Sequence, residues 1–176
     1  MKNTKKTNRV VYLILGALLI VVVILALLNR GDAGLRRALE EHREFQILTD
    51  GELTAKVGLE NLLDLNPQEF TTTMATSIGA PKQVTMKGVE LRVLLDSLDI
   101  DTSQAATIAV SGLDGYVSPL TPAEVNKADD IYICYSLDGE ILKTMSEGGM
   151  GPFLMVIRSE RFAQRWCKYV ESIDIK

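Results

Sequence analysis

Hydrophobic and polar residues are distributed unevenly along this chain. From Val10 to Leu28 (VVYLILGALLIVVVILALL), 19 consecutive residues carry no charge. At about 1.5 Å per residue such a run makes a helix roughly 28 Å long, close to the hydrocarbon thickness of a bilayer. Lys2, Lys5, Lys6 and Arg9 precede it without an acid, and Arg30 follows. The positive-inside bias therefore predicts a cytoplasmic N-terminus with residues 30–176 outside the membrane. A cleaved signal would carry a shorter apolar run, about 7–15 residues, ending at a small-residue site. Ala26-Leu27-Leu28-Asn29-Arg30 offers no such site, and no cysteine follows for a lipid anchor. The expected order is a basic tail over 1–9, a transmembrane helix over 10–29, a juxtamembrane stalk over 30–44 and a single domain over 45–176.

Beyond the run, the pattern alternates between periods. Leu35, Leu39, His42 and Phe45 share one side of an amphipathic stalk helix, with Arg36 and Glu40 paired on the other. Residues 45–48 and 53–57 read as strands about a turn at Thr49-Asp50-Gly51. Leu59–Leu65 reads as a short helix stopped by Asn66-Pro67. Phe70–Thr76 and Gln83–Met86 are β-prone, and Val89–Leu98 is helical with Val89, Leu91, Leu94, Leu95 and Leu98 inward. Thr107–Val110 is a strand leading to Asp114-Gly115-Tyr116, and Thr121-Pro122 starts a helix. A hairpin turns about Asp138-Gly139. A glycine loop at 146–152 leads into the apolar strand Phe153–Ile157. Phe162, Trp166, Tyr169, Val170 and Ile173 fall at helical spacing and predict a last helix, with Ile173–Ile175 closing the sheet. The class is α+β.

Charge narrows the partners. All 23 acidic residues follow the apolar run while four of the 19 basic ones precede it, so residues 30–176 carry a net charge of −8. That excludes nucleic acid and anionic membrane surfaces as partners of the domain, since both need basic patches. Cys134 and Cys167 are the two cysteines. Outside a membrane such a pair can form a disulfide, and equally both can be small buried hydrophobes. Their spacing fits neither a redox dithiol nor a zinc knuckle. His42, the one histidine, has no ligand-spaced partners and no triad motif around it, which argues against metal binding and Ser-His-Asp chemistry.

The segments also occur in a recognisable order. Gly88-Val89-Glu90-Leu91 leads to Leu94-Leu95, followed by Asp114-Gly115-Tyr116. Tyr135 to Leu142 forms the hairpin, and Gly148-Gly149 with Gly151-Pro152 opens the apolar strand. Arg165-Trp166, Lys168, Val170 and Ile173 close the series. This resembles the molybdopterin-binding domain of sulfite-oxidase-like oxidoreductases over residues 45–176. The resemblance implies a single compact mixed-sheet α+β domain, here preceded by one transmembrane helix, and molybdopterin as cofactor.

In that family a cysteine thiolate ligates molybdenum ten to fifteen residues before the Gly-Val-x-Leu phrase. A soft anionic donor suits a metal that changes oxidation state. Thr71 to Gly79 holds no cysteine in this chain, and the Met74 thioether is no substitute for an anionic ligand. The family often carries an arginine after the Gly-Pro pair, where this chain has Phe153-Leu154. The sequence therefore gives no catalytic or metal-ligating set. Asp114, Gly115, Tyr116 and Gly149 form the candidate rim of a cofactor groove, because a tyrosine there can stack on a ligand; plain turns are the alternative. The expected function is a membrane-anchored, extracytoplasmic, non-catalytic domain that binds a small molecule or an envelope protein. The alternatives are an active molybdopterin oxidoreductase coupled to a membrane partner, or a structural module of an envelope complex.

Overall fold

The computed structural model describes residues 15–21, 43–74, 80–160 and 163–176. Contacts divide the chain into a unit over Met1–Ala38 and a unit over Leu39–Lys176. In the first, residues 15–21 are helical and exposed. Seven residues rise about 10 Å, a third of a bilayer's hydrocarbon core. Among the described residues no helix is long and apolar enough to cross a membrane, which corrects the expectation of a transmembrane helix preceding the domain. The rest of the expected span over 10–29, the basic tail and His42 lie outside the described residues. So does the stalk helix apart from its end, where Arg43 is in a turn and Glu44-Phe45 begin a strand.

The second unit runs β1 (Glu44–Thr49), β2 (Glu52–Gly58), α1 (Leu59–Leu63), β3 (Gln68–Met74), β4 (Lys82–Glu90), α2 (Leu91–Ser97), β5 (Ile108–Gly112) and β6 (Val117–Leu120). It continues α3 (Pro122–Val125), β7 (Ile131–Leu137), β8 (Glu140–Ile141), β9 (Leu154–Ile157) and β10 (Val170–Ile175). Two five-stranded sheets result among the described residues, ordered β2-β1-β10-β5-β6 and β3-β4-β7-β8, with β9 also on β7. β1 and β10 pair in parallel, whereas the other strand pairs are antiparallel. The mixed sheet read from the sequence is thus observed, with ten strands and only short helices among the described residues.

Local chemistry explains the elements. β1 and β5 alternate buried and half-buried positions, the period of a strand with one face on the core. β7 and β9 are buried almost throughout, which is why their sequences read as continuous apolar runs. Asp50-Gly51 and Asp138-Gly139 have positive φ at both central residues, the backbone a tight two-residue hairpin needs. α3 begins as expected: Thr121 Oγ1 accepts from Glu124 N–H at 3.3 Å, and Glu124 Oε2 accepts from Thr121 N–H at 2.8 Å. Phe45, Ile47, Leu91, Ile133, Met155 and Ile173 belong to one buried cluster fed by both sheets.

Two boundaries differ from the sequence reading. The helix expected from Val89 starts at Leu91, because Val89 and Glu90 pair with Ile133 and Tyr132 of β7. The expected last helix is not formed by the described residues: Cys167 bridges to Met155, and residues 170–175 enter the first sheet between β1 and β5. The apolar spacing of Trp166, Val170 and Ile173 fits a helix, but the sheet edges of β1 and β5 offer Val170 and Ile173 backbone partners, and tertiary pairing wins.

Candidate functional site

A cavity of about 660 Å³ lies between β3 and the turn that follows β9, lined by Thr71, Thr72, Thr73, Pro81, Arg158, Ser159 and Glu160. Successive strand residues point to opposite faces. A cleft touched by three threonines in a row therefore runs along the edge of β3, not over one face. These threonines also begin the stretch where the resemblance puts the metal ligand.

The opposite wall is pinned from beneath by Asp130, itself buried. Asp130 accepts from Ser159 N–H at 2.9 Å, from Ser159 Oγ at 3.0 Å and from Lys127 Nζ at 2.9 Å, while its carbonyl accepts from Arg158 N–H at 2.8 Å. Burial pushes the Asp130 carboxyl up, but the hydrogen bonds from Lys127 and Ser159 more than offset this and hold it below the ordinary aspartate range. A carboxyl held low in the folded state stabilises that state above its unfolded value of 3.8, and the contribution fades as pH falls through the folded value. The wall is therefore expected to loosen below about pH 4. Amide exchange at Ser159 across an acid titration reads this directly. Asp130→Asn should abolish the acid limb, and an acid limb that persists in that variant would refute the assignment.

Arg158 supplies the cleft's fixed cation. Its Nη1 donates to the Asp129 carboxylate and, at 3.4 Å, to the Asp129 carbonyl. Its guanidinium carbon sits 4.7 Å from the centroid of the Phe70 ring and 5.8 Å from that of Tyr132. Tyr132 donates to Asp129 Oδ1 at 2.7 Å, and this bond, ahead of the nearby Arg158 charge, lowers the Asp129 carboxyl. Burial and the same hydrogen bond push the Tyr132 phenol up to about 12. Glu160 is taken up by Arg165, whose Nε donates to it and whose Nη2 reaches Glu124 at 2.9 Å. The wall therefore presents one guanidinium with donors to spare and one carboxylate already in use.

The residues singled out in the sequence lie elsewhere. Asp114-Gly115-Tyr116 form the turn between β5 and β6, where Asp114 Oδ1 accepts from Tyr116 N–H at 3.1 Å and the Tyr116 hydroxyl donates to the Gln164 carbonyl at 3.0 Å. Gly149 lines a separate cavity of about 330 Å³ beside β8. Its close packing alone accounts for glycine there, since a Cβ would stand 2.1 Å from the Lys143 carbonyl oxygen. Tyr169 links the two regions: it donates N–H to the Met150 carbonyl and accepts from Leu113 N–H. None of the four lines the larger cleft. Arg158 went unnoticed in the sequence, where the one available signal was a cation placed directly after the buried FLMVI strand.

Cys134 and Cys167 are free and buried. β9 runs between them, with Leu154 opposite Cys134 and Met155 opposite Cys167. Two strand spacings come to about 9.5 Å, beyond the roughly 7 Å that a disulfide spans between Cα atoms. In this structure the pair is thus two free, buried cysteines, the second of the two alternatives the sequence left open. Burial pushes both thiols up, Cys167 to about 12. Neither thiol is expected to react with a thiol reagent in the native protein, and both should react once it is unfolded; one fast-reacting thiol in the folded state would contradict the burial.

The chain matches no protein-family model, and no curated protein sequence matches it. Among solved structures, the sulfane dehydrogenase SoxCD from Paracoccus pantotrophus is similar, with a TM-score of 0.63 and 17% sequence identity over 77% of this chain. The match spans 38% of that chain. The two chains accordingly share a fold over the matched residues. At this identity the likeness extends to the fold alone.

The residues at hand do not fit a molybdenum ligand set. The cleft offers hydroxyls, a guanidinium and an engaged carboxylate, where such a metal needs a soft thiolate. Phe153 and Leu154, each 1% exposed, put no cation at the position after Gly151-Pro152. Among the described residues no three His, Cys, Asp or Glu side chains stand together to hold a metal.

Proposed function

We propose that this chain carries a binding domain built on a sulfite-oxidase-like fold, non-catalytic and holding its ligand in the cleft between β3 and the Arg158–Glu160 turn. One observation supports this above the rest. Where the resemblance expects a metal thiolate, the cleft is bounded by the threonine hydroxyls of β3 and by a wall fixed through Asp130. Hydroxyls and a guanidinium held by an acid and two rings suit recognition by hydrogen bonding. They provide no group that changes oxidation state and no acid/base pair at working distance.

The rival reading is an oxidoreductase that holds a pterin without a protein thiolate, and the fold likeness to a sulfane dehydrogenase favours it. Metal analysis and the fluorescence of oxidised pterin, on full-length protein from molybdate-supplied cells, decide between the two. Neither molybdenum nor pterin is expected. Molybdenum near one equivalent would overturn the binding-domain reading and restore the enzyme.

A further inference from the structure

We infer that β3 takes an extended, carboxylate-bearing peptide segment of a partner protein as an added strand along the cleft, an inference that rests on the cleft being the ligand site. β3 pairs with β4 through seven consecutive positions, from Gln68 opposite Gly88 to Met74 opposite Lys82, without a bulge. Among the described residues no strand covers its other side. An open edge of that length is a template for another chain, and proteins ordinarily blunt such edges with prolines, charges, bulges or short strands.

β9 is covered by the bridge from Met155 to Cys167, and the edges at β2, β6 and β8 are blunted in just those ways. β6 has four residues and contains Pro119, and β8 has two. β2 carries Glu52 and Lys56, and its pairing with β1 is interrupted by a register shift between Ile47 and Leu48. β3 contains neither proline nor lysine, and its one charge, Glu69, lies before the threonines that line the cleft. The unguarded edge is thus also the edge that borders the cavity of about 660 Å³. An added strand would satisfy its free backbone groups, the mode in which peptides extend a sheet.

The carboxylate follows from Arg158. Asp129 occupies Nη1 of the guanidinium, while Nε and Nη2 make no hydrogen bond among the described residues. Those two N–H groups form one edge of a planar fork, the geometry that matches a carboxylate bidentately. The side chain is 28% exposed and held against Phe70 and Tyr132, so its free edge is set in place before a ligand arrives. The hydroxyl-bearing side chains of Thr71, Thr72 and Thr73 line the cleft and suit small polar side chains on the incoming strand.

The probe is an acetylated, amidated heptapeptide of alternating threonine and valine with one glutamate, moved through each position in turn and titrated calorimetrically against full-length protein. Saturable binding is expected for at least one placement. N-methylating one alternate set of peptide amides should abolish it, while methylating the other set leaves it intact, because only every second amide faces the edge. Glutamine for the peptide's glutamate, and Arg158→Gln in the protein, should each weaken binding about tenfold, and the two together no further. Indifference to which amides are methylated, full additivity of the two changes, or no binding at any placement overturns the inference. Those outcomes are distinct from failure of the binding-domain reading, which only bound molybdenum signals. The peptide-side changes leave the fold untouched, so loss of binding there cannot be blamed on unfolding.

Discussion

Phe153→Ala is expected to remove about 3–5 kcal/mol of folding stability, the usual cost of deleting a large buried aromatic and leaving a cavity. Phe153 is 1% exposed and meets the ring of Phe45, itself 0% exposed, edge-to-face with centroids 5.0 Å apart. Phe45 belongs to β1 in one sheet, while Phe153 leads β9 in the other. The pair is therefore a junction between sheets, and the site cannot collapse without shifting both. A loss of this size is a large part of the 5–15 kcal/mol that holds typical domains together. Urea unfolding gives the number, with Phe153→Leu as a milder comparison. A loss under about 1 kcal/mol would mean that the ring is not packed as described.

Gly88→Ala should be nearly as damaging with a single added methyl. A Cβ at residue 88 would stand 2.4 Å from the Ile133 carbonyl oxygen and 2.7 Å from the Cys134 Cα. Both obstacles are main chain of the neighbouring β7, so no side chain can rotate aside. The pairing of β4 with β7 also shifts register between Lys87 and Gly88, which means the strand already bends there to let the backbones approach. The variant is expected to lose about 3 kcal/mol or to accumulate unfolded. Gly139→Ala is the control: its Cβ would meet nothing within 4 Å, and its positive φ of 84° alone is strained. That change should cost about 1 kcal/mol. Equal losses at the two positions, by thermal unfolding, would show that close approach is not what requires glycine at 88.

Much of the sheet framework is visible in the sequence because local signals and tertiary structure agree there. Asp138-Gly139 between apolar runs makes a hairpin, and Thr121-Pro122 with Glu124 makes a helix start, whatever surrounds them. FLMVI is buried because nothing in it tolerates water. Agreement fails where one pattern serves two periods. Trp166, Val170 and Ile173 satisfy helical spacing, yet β10 exists because β1 and β5 leave a strand-wide gap between them. No property of residues 166–173 alone reveals that gap. The apolar run near the N-terminus shows the opposite limit: its composition suits a bilayer, whereas the described helix there covers only 15–21.

The candidate site was harder to read than the fold. Its threonines are legible as an exposed strand but not as one side of a cleft, since the other side lies far along the chain. Arg158 gains its character from Asp129, Phe70 and Tyr132, which converge on it only after β3 and β7 share a sheet. Turns rich in glycine drew attention to Asp114–Tyr116 and Gly149 instead, and in the structure tight packing and local capping account for those residues.

The position of β10 bears on how the domain assembles. Without residues 170–175 the first sheet would be two separate hairpins, β1 with β2 and β5 with β6, each too small to persist alone in water. Neither hairpin gains a neighbour until β10 arrives from the far end of the domain and closes loops on both sides at once. Such dependence on distant pairing predicts slow, all-or-none folding in which no half of the sheet survives as an intermediate.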